Sequence, residues 1–278
     1  MLLIPALLSV ALASQATSAD GVTLAYDIQG KGEPALVLVH CWACNRTFWN
    51  ETTSLLKGEP RAVVSLDLAG HGESGRNRSN WTMESFGDDV AAVVHKAGLK
   101  KVILVGHSMG GNVVVEAARR LKKETVGVIL VDTLLDVDDR TPPDEIAKRV
   151  AALKSDFKGT VDGMTRQFLF RPTSNPELVN SVVKSLSATD PAIGTACIES
   201  SWAYDPRPGL KEITVPIRAI NGDLFPTNVP AFRKYASQYS VAMMPGVSHY
   251  PMMEVPEKFV ALLKAAVVAI VGEEPSKY

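Results

Sequence analysis

The sequence predicts an α/β fold in which a mostly parallel sheet is flanked by helices. Short, continuous apolar runs recur along the chain, segments of helical periodicity separate them, and the chain is 278 residues long. Continuous apolar runs are typical of strands covered on both faces, as in a parallel sheet. Strands that alternate with helices imply right-handed crossovers, and the length suffices for one large domain.

The first half of the chain alternates regularly between the two kinds of segment. The earliest strand has alternating polarity and is predicted to be half-exposed, whereas the later ones are apolar throughout. The predicted strands are 22–28, 35–40, 61–67, 101–106 and 126–132. The predicted helices are 47–56, 83–97, with Thr82 as its N-cap, and 112–122.

The alternation stops after residue 133. From 134 to 211 there is no strand-like run, and the predicted helices are 143–156, 161–170, 176–187 and 191–204. Strands are predicted again at 215–221 and 241–244, and a last helix at 256–271. The sequence therefore predicts a core formed by residues 20–133 and 212–278, into which residues 134–211 are inserted as a helical cap.

The N-terminal segment differs from the rest of the chain. Residues 1–13 are almost wholly apolar, and Thr17-Ser18-Ala19 offers small residues for cleavage. About a dozen apolar residues are too few to span about 30 Å of hydrocarbon, so residues 1–19 are predicted to be a signal peptide. We expect a secreted or periplasmic protein without a stable membrane span. No Lys or Arg precedes Lys31, which is atypical of such a peptide and leaves a lipid-facing anchor, or a disordered leader on a cytoplasmic protein, as the alternatives.

Charge argues against two classes of partner. The formal net charge is −1, and no basic stripe stands out. Binding to nucleic acid or to a membrane surface through electrostatic attraction is therefore not predicted.

Three cysteines are present, and two of them form a C-x-x-C motif on a loop. A thioredoxin-type site would place this motif at the start of a helix in a small domain. Packed thiols, or a structural bridge from Cys44 to Cys41 or to Cys197, are therefore favoured. The odd number of cysteines leaves at least one thiol free.

The motif Gly106-His-Ser-Met-Gly-Gly111 follows directly on a predicted strand and precedes a predicted helix. A serine at such a sharp turn presents its hydroxyl at the sheet edge, and the turn brings backbones too close together for a Cβ at the flanking glycines. The helix directs its N–H groups to the place where negative charge would develop. Ser108 is therefore predicted to be a catalytic nucleophile, and a turn with only a packing role is the alternative.

Several motifs in this order resemble the α/β-hydrolase superfamily. They are His40 after a strand, Asp67-Leu-Ala-Gly-His-Gly-Glu-Ser74, the Ser108 motif, the helical cap, and Val247-Ser-His249 near the C-terminus. The resemblance covers about residues 22–272. It implies an open, mostly parallel sheet of about eight strands with the site at the C-terminal ends of the strands.

The resemblance implies that His249 is the general base. A serine hydroxyl is a poor nucleophile at neutral pH and needs such a base. The other four histidines are expected to have different roles. His40 and His71 are expected to serve loop structure, His107 to point away from the serine, and His95 to lie on a helix face.

The acid is where the sequence departs from the family pattern. The family usually carries Gly-x-x-Asp after the strand that ends near residue 221, but Phe225 occupies the Asp position here. Asp132 is the favoured acid, because it ends its strand beside the serine loop and certain haloalkane dehalogenases carry their acid there. Asp223 is the alternative and Asp136 a distant third, and a purely structural role remains open for Asp132. The acid would hold the imidazole in the correct tautomer.

The resemblance also implies an oxyanion hole formed by the backbone N–H groups of Trp42 and Met109. Cys41 stands where the family usually has glycine, so this loop cannot use backbone angles that only glycine tolerates. Substrate-binding candidates are the side chains of Trp42, Phe168 and Trp202, with ordinary packing as the alternative.

The resulting expectation is a serine hydrolase that cleaves a carboxylic ester or related acyl bond of a small molecule, without a metal or organic cofactor. Lactonase, C–C hydrolase and haloperoxidase activities are alternatives within the fold. Dehalogenase and epoxide-hydrolase chemistry is disfavoured, because it needs an Asp at position 108. A non-catalytic binding protein and a thiol oxidoreductase using Cys41 and Cys44 are alternatives of other classes. The sequence predicts no oligomeric state.

Overall fold

The computed structural model of the protein describes residues 13–272. Within this range, helices flank a sheet of eight strands. The strands are β1 (Ser14–Thr17), β2 (Thr23–Gln29), β3 (Ala35–Val39), β4 (Val63–Leu66), β5 (Val102–His107), β6 (Thr125–Val131), β7 (Ile217–Gly222) and β8 (Tyr239–Met244).

The strand order across the sheet is β1-β2-β4-β3-β5-β6-β7-β8. Neighbouring strands are parallel from β4 to β8, whereas β2 is antiparallel to both β1 and β4. Every residue of β3, β4 and β5 is buried. The continuous apolar runs therefore form strands covered on both faces, as predicted.

The helices are α1 (Asn50–Leu55), α2 (Met83–Lys96), α3 (Met109–Arg120), α4 (Pro143–Ser155), α5 (Phe157–Met164), α6 (Pro176–Ser187), α7 (Pro191–Ala203), α8 (Arg207–Glu212), α9 (Val229–Arg233), α10 (Pro251–Glu254) and α11 (Pro256–Val271). The predicted N-cap of α2 is confirmed, since Thr82 Oγ1 accepts from Ser85 N–H and Ser85 Oγ accepts from Thr82 N–H. Helix α3 begins at Met109, three residues earlier than predicted. None of the helices within residues 13–272 is long and apolar enough to cross a membrane.

Residues 134–216, between β6 and β7, form what we call the insertion, and they contain α4 to α8. The single helix predicted at 161–170 is instead α5 followed by a π-helical turn, Thr165–Leu169. Several side chains join the insertion to the core, and two of these contacts reach α3 and α7. Tyr204 OH donates to the buried Glu116 carboxylate on α3 at 2.6 Å, and Trp42 Nε1 donates to Gly194 O on α7 at 2.7 Å.

Strand β1 lies within the segment that the sequence analysis assigned to a signal peptide, residues 1–19. Residues 1–12 lie outside the described residues, but β1 pairs with β2 along its whole length. Ser18 is buried, and its Oγ donates to the buried Asp89 carboxylate at 2.6 Å. Ser14–Thr17 and Ser18 therefore belong to the folded core, which was predicted from Asp20 onwards, because they form an edge strand of the sheet and part of a buried polar cluster.

Removal of residues 1–19 is expected to destabilise the protein. The shortened chain loses the β1 pairing and the Ser18–Asp89 hydrogen bond, and a hydrogen bond to a charged group alone contributes roughly 1.5–3 kcal/mol. A total loss of about 3 kcal/mol corresponds to a fall in Tm of roughly 6–12 °C for a chain of this size. Thermal unfolding followed by circular dichroism measures this, with a chain that begins at Ser14 as the control. Equal Tm values for the two shortened chains would contradict the assignment of β1 to the core.

Candidate active site

Ser108 occupies the sharp turn between β5 and α3. Its backbone has φ 53° and ψ −121°, a conformation that residues other than glycine seldom adopt. Such strain persists only where the surrounding structure holds it. Here Ser108 N–H donates to Val131 O at 3.1 Å, and Thr133 Oγ1 donates to Ser108 O at 2.7 Å. Strand β6 and the loop after it therefore hold the turn in place.

The flanking glycines are needed because backbones pass close to the turn. A Cβ at Gly106 would overlap the carbonyl oxygen of Gly110. A Cβ at Gly110 would lie 2.7 Å from the carbonyl oxygens of both Val39 and His40. The glycine spacing thus has the predicted cause, and the loop after β3 packs directly against the serine turn.

His249 and Asp132 meet at the C-terminal edge of the sheet. His249 Nδ1 lies 2.6 Å from Asp132 Oδ2, and Asp132 Oδ1 accepts from Gly222 N–H at 2.9 Å. The Asp132 carboxylate is buried, with 4% of its side chain exposed. In a neutral imidazole, an Nδ1–H that donates to this carboxylate leaves the lone pair on Nε2, where a general base needs it.

Asp223, the alternative acid, has other partners. Its Oδ1 accepts from the Arg171 guanidinium at 2.6 Å and from Gly246 N–H at 2.8 Å. Asp136, the third candidate, accepts from Asn228 Nδ2 at 2.8 Å, so among the three candidate acids Asp132 is the one that the structure brings to His249. Phe225, which stands in the family's Asp position, is exposed.

The Glu254 carboxylate holds the backbone on both sides of His249. One oxygen accepts from Ser248 N–H at 3.0 Å and the other from Tyr250 N–H at 3.1 Å. Glu254 was not among the site residues predicted from the sequence. An acidic residue one turn into a helix that begins with Pro251 is the signal that could have indicated it, because carboxylates there bind the free N–H groups of the helix start.

The peptide groups of His249 itself are also held. Its N–H donates to Leu169 O in the π-helical turn at 3.2 Å. Its carbonyl oxygen lies 2.7 Å from Nε2 of His107, whose ring is fully buried. Burial holds the pKa of His107 well below its usual value, so the ring is neutral and donates from Nε2. His107 was expected to point away from the serine, but its contact with the His249 carbonyl was not predicted.

His40 and His71 serve loop structure, as expected. His40 Nδ1–H donates to Cys41 O at 2.7 Å, and its Nε2 accepts from Leu68 N–H at 3.0 Å, which joins the loops after β3 and β4. Burial lowers the pKa of His40 to about 4. His71 Nδ1–H donates to Ala69 O at 2.9 Å, and burial lowers the pKa of His71 to about 3. Both rings are therefore neutral near pH 7.

The two predicted oxyanion donors belong to segments that meet at the serine turn. Met109 is the first residue of α3, so its N–H has no acceptor within the helix. Trp42 lies in the loop that packs against Gly110. Cys41 and Cys44 of this loop form a disulfide, one of the arrangements expected from the sequence. The third cysteine, Cys197, is free and buried.

A cavity of about 320 Å³ lies between the loop after β6 and α7, and both Ser108 and Asp132 contribute to its wall. Of the three candidate substrate-binding side chains, Trp202 lines this cavity. Trp42 and Phe168 are not among its lining residues. The indole of Trp42 donates a hydrogen bond to α7, and Phe168 is 49% exposed on the π-helical turn.

Residues 13–272 contain no group of three or more His, Cys, Asp or Glu side chains that could hold a metal ion.

Comparison with known proteins identifies the family. A family model described as the alpha/beta hydrolase family matches residues 36–262. The pimeloyl-[acyl-carrier protein] methyl ester esterase of Nitrosospira multiformis is 27% identical over 263 residues, which cover 86% of this chain and 96% of that protein. The non-heme chloroperoxidase CPO-A1 of Kitasatospora aureofaciens is 27% identical over 224 residues, which cover 74% of this chain and 79% of that protein.

A solved structure of a thermophilic esterase from Thermogutta terrifontis has the same fold. It superposes with a TM-score of 0.82 at 25% sequence identity and covers 94% of this chain and 99% of its own. With the family model matched over most of the chain, the protein belongs to the α/β-hydrolase family.

Proposed function

We propose that the protein is a serine hydrolase that cleaves a carboxylic ester or a related acyl bond of a small molecule. The observation that carries this proposal is the 2.6 Å contact between His249 Nδ1 and Asp132 Oδ2, at the sheet edge where the turn after β5 presents Ser108. An esterase relative that spans nearly the whole chain supports it.

In the first half of the reaction, Ser108 Oγ attacks the substrate carbonyl carbon while His249 Nε2 takes the hydroxyl proton. Asp132 holds the imidazole in the required tautomer and stabilises the imidazolium that forms. The N–H groups of Met109 and Trp42 donate to the oxyanion of the tetrahedral intermediate. His249 then gives its proton to the leaving alkoxide, and the acyl group stays on Ser108.

In the second half, a water molecule attacks the acyl-enzyme. His249 takes a proton from this water and returns it to Ser108 Oγ when the acid product leaves. Each of these steps requires the imidazole to face Ser108. The bonds from Glu254, Leu169 and His107 to the backbone around His249 serve that orientation.

The insertion acts as a cap in this proposal. Helix α7 contributes Trp202 to the cavity beside Ser108, and Leu169 of the π-helical turn accepts from His249 N–H. The polar and apolar groups on the insertion side of the cavity therefore contact the substrate and select it.

A fluorophosphonate probe is expected to label Ser108 in a one-to-one ratio, since it reacts with activated serine hydroxyls. Ser108→Ala should abolish labelling and lower kcat on p-nitrophenyl esters by about 10⁶-fold, as removal of other serine nucleophiles does. Intact-protein mass spectrometry and ester hydrolysis across a chain-length series measure the two effects. Ser201→Ala changes a serine of the same cavity and should still be labelled. A folded protein that binds small ligands but is never labelled would instead be a non-catalytic binding protein.

Asp132→Asn is expected to lower kcat by about 10⁴-fold, because an amide favours the wrong imidazole tautomer. Asp223→Asn is the matched control: it weakens the half-exposed ion pair with Arg171 and the hydrogen bond from Gly246 N–H, neither of which contacts the His249 ring, and kcat should stay close to that of the parent. Steady-state kinetics of the two variants on one ester give the comparison. A larger loss for Asp223→Asn would transfer the acid role to Asp223.

Glu254→Gln is expected to lower kcat by roughly tenfold with little change in KM. The amide keeps one acceptor but turns an NH₂ group towards the second backbone N–H, so the His249 loop shifts, and a misplacement of about 1 Å can cost up to 10²-fold in rate. Glu257→Gln, at an exposed position on α11, is the control. Steady-state kinetics and thermal unfolding of both variants separate a rate effect from lost stability. Unchanged kcat for Glu254→Gln would rule out a positioning role.

A further inference from the structure

The loop after β3 contains a β-turn whose two ends are joined covalently. Cys44 N–H donates to Cys41 O at 3.3 Å, which closes a four-residue turn. The disulfide joins the first and last residues of this turn, whose Cα atoms are 5.3 Å apart. Both cysteines are buried, each with 2% of its surface exposed.

The turn adopts a conformation that its sequence does not favour. Ala43, its third residue, has φ 55°. Turns of this kind usually carry glycine at that position, because a Cβ is disfavoured at positive φ. Without a constraint, a turn with alanine there would relax towards a conformation with negative φ.

Other contacts hold parts of the turn. His40 Nδ1–H and Thr189 Oγ1 donate to the carbonyl oxygens of Cys41 and Ala43 at 2.7 and 3.2 Å, respectively. The indole N–H of Trp42 donates a hydrogen bond to Gly194 O on α7. The disulfide adds the covalent constraint between the two ends of the turn.

This turn adjoins the nucleophile. Gly110 packs so closely under the end of β3 that a Cβ would lie 2.7 Å from His40 O. Trp42, whose N–H is the second oxyanion donor in the proposed function, is the second residue of the turn. A change in the conformation of the turn therefore moves a donor that must point at the oxyanion.

We propose that the Cys41–Cys44 disulfide positions the oxyanion hole, by keeping Trp42 N–H directed at the developing negative charge. The proposal rests on the proposed function and extends it to two residues that take no part in bond making. Donors fixed in advance stabilise the transition state more than the bound substrate. Breaking the disulfide should therefore lower kcat and leave KM nearly unchanged.

Reduction by dithiothreitol provides the first test. The S–S bond breaks through a mixed disulfide, two thiols form, and the two electrons and two protons come from the reductant, which becomes a cyclic disulfide. The protein is reduced, freed of reductant under nitrogen and compared with the oxidised protein. The number of free thiols per chain, titrated in denaturant, should be one before reduction and three afterwards. The single thiol before reduction is that of Cys197. Three thiols before reduction would overturn the proposal.

The expected result for the reduced protein is a loss of about tenfold in kcat on p-nitrophenyl acetate, with KM within about twofold, since removal of a whole donor costs about 10²–10³-fold. The affinity for a trifluoromethyl ketone, whose bound oxyanion occupies the hole, should fall by a similar factor. A merely structural disulfide would change the Tm without this difference between kcat and KM. Unchanged kcat, or kcat and KM altered in parallel, would overturn the proposal.

A double variant provides the second test, which does not depend on access of the reductant to the buried bond. Cys41→Ala/Cys44→Ala should reproduce the low kcat of the reduced protein and be insensitive to dithiothreitol. Cys197→Ala is the control: burial raises the pKa of this thiol to about 12, so it stays protonated, and the variant should keep both full activity and sensitivity to reduction. A double variant with full kcat would overturn the proposal.

The two proposals fail in distinguishable ways. If the oxidised protein neither hydrolyses esters nor reacts with a fluorophosphonate, the proposed function itself is wrong. If the oxidised protein is active and labelled at Ser108 but kcat does not depend on the disulfide, only the inference about Cys41 and Cys44 is wrong.

Discussion

The contact between the His249 imidazole and the Asp132 carboxylate is the constraint on which the candidate site depends. Asp132 follows β6 and His249 follows β8, so the contact must reach across the end of β7. Gly222 makes this possible. Its N–H donates to Asp132 Oδ1, and a Cβ there would lie 2.5 Å from Val247 O. In the proposed function Asp132 supplies the acid from the end of β6, so the loop after β7 need not supply one and Phe225 can occupy the family's usual Asp position.

Backbone strain is concentrated at the same edge of the sheet. Among the described residues, positive φ outside glycine occurs at Ala43, Ser108, Asp132 and Leu134. All four follow the C-terminal ends of β3, β5 and β6, and strain of this kind costs about 1–3 kcal/mol per residue. The surrounding bonds hold it in place: Val131 and Thr133 bind the serine turn, and the disulfide closes the turn at Ala43. The strained backbone at this edge therefore lowers the free energy of unfolding, and strain of this kind is common at sites that hold reactive groups in a fixed geometry.

The sequence predicted the features that depend on local patterns. The continuous apolar runs predicted the parallel strands, and the glycine spacing predicted the turn at Ser108. Strand β1 was missed because Ser14–Thr17 is mostly small and polar, and its pairing with β2 comes from the tertiary fold. Glu254 was missed because its partners depend on how the chain folds back around His249. Phe168 was a plausible pocket residue by its aromatic side chain alone, but on the π-helical turn it is half exposed and does not line the cavity.

The bond from His249 N–H to Leu169 O has a consequence for how this enzyme could be re-engineered. The acceptor belongs to the insertion, and the donor belongs to His249, the general base of the proposed function. A chimera that received the insertion of a relative would therefore inherit a different support for its imidazole along with a different pocket. Selectivity and turnover would change together in such a chimera, unless the graft retained the native backbone at 165–171.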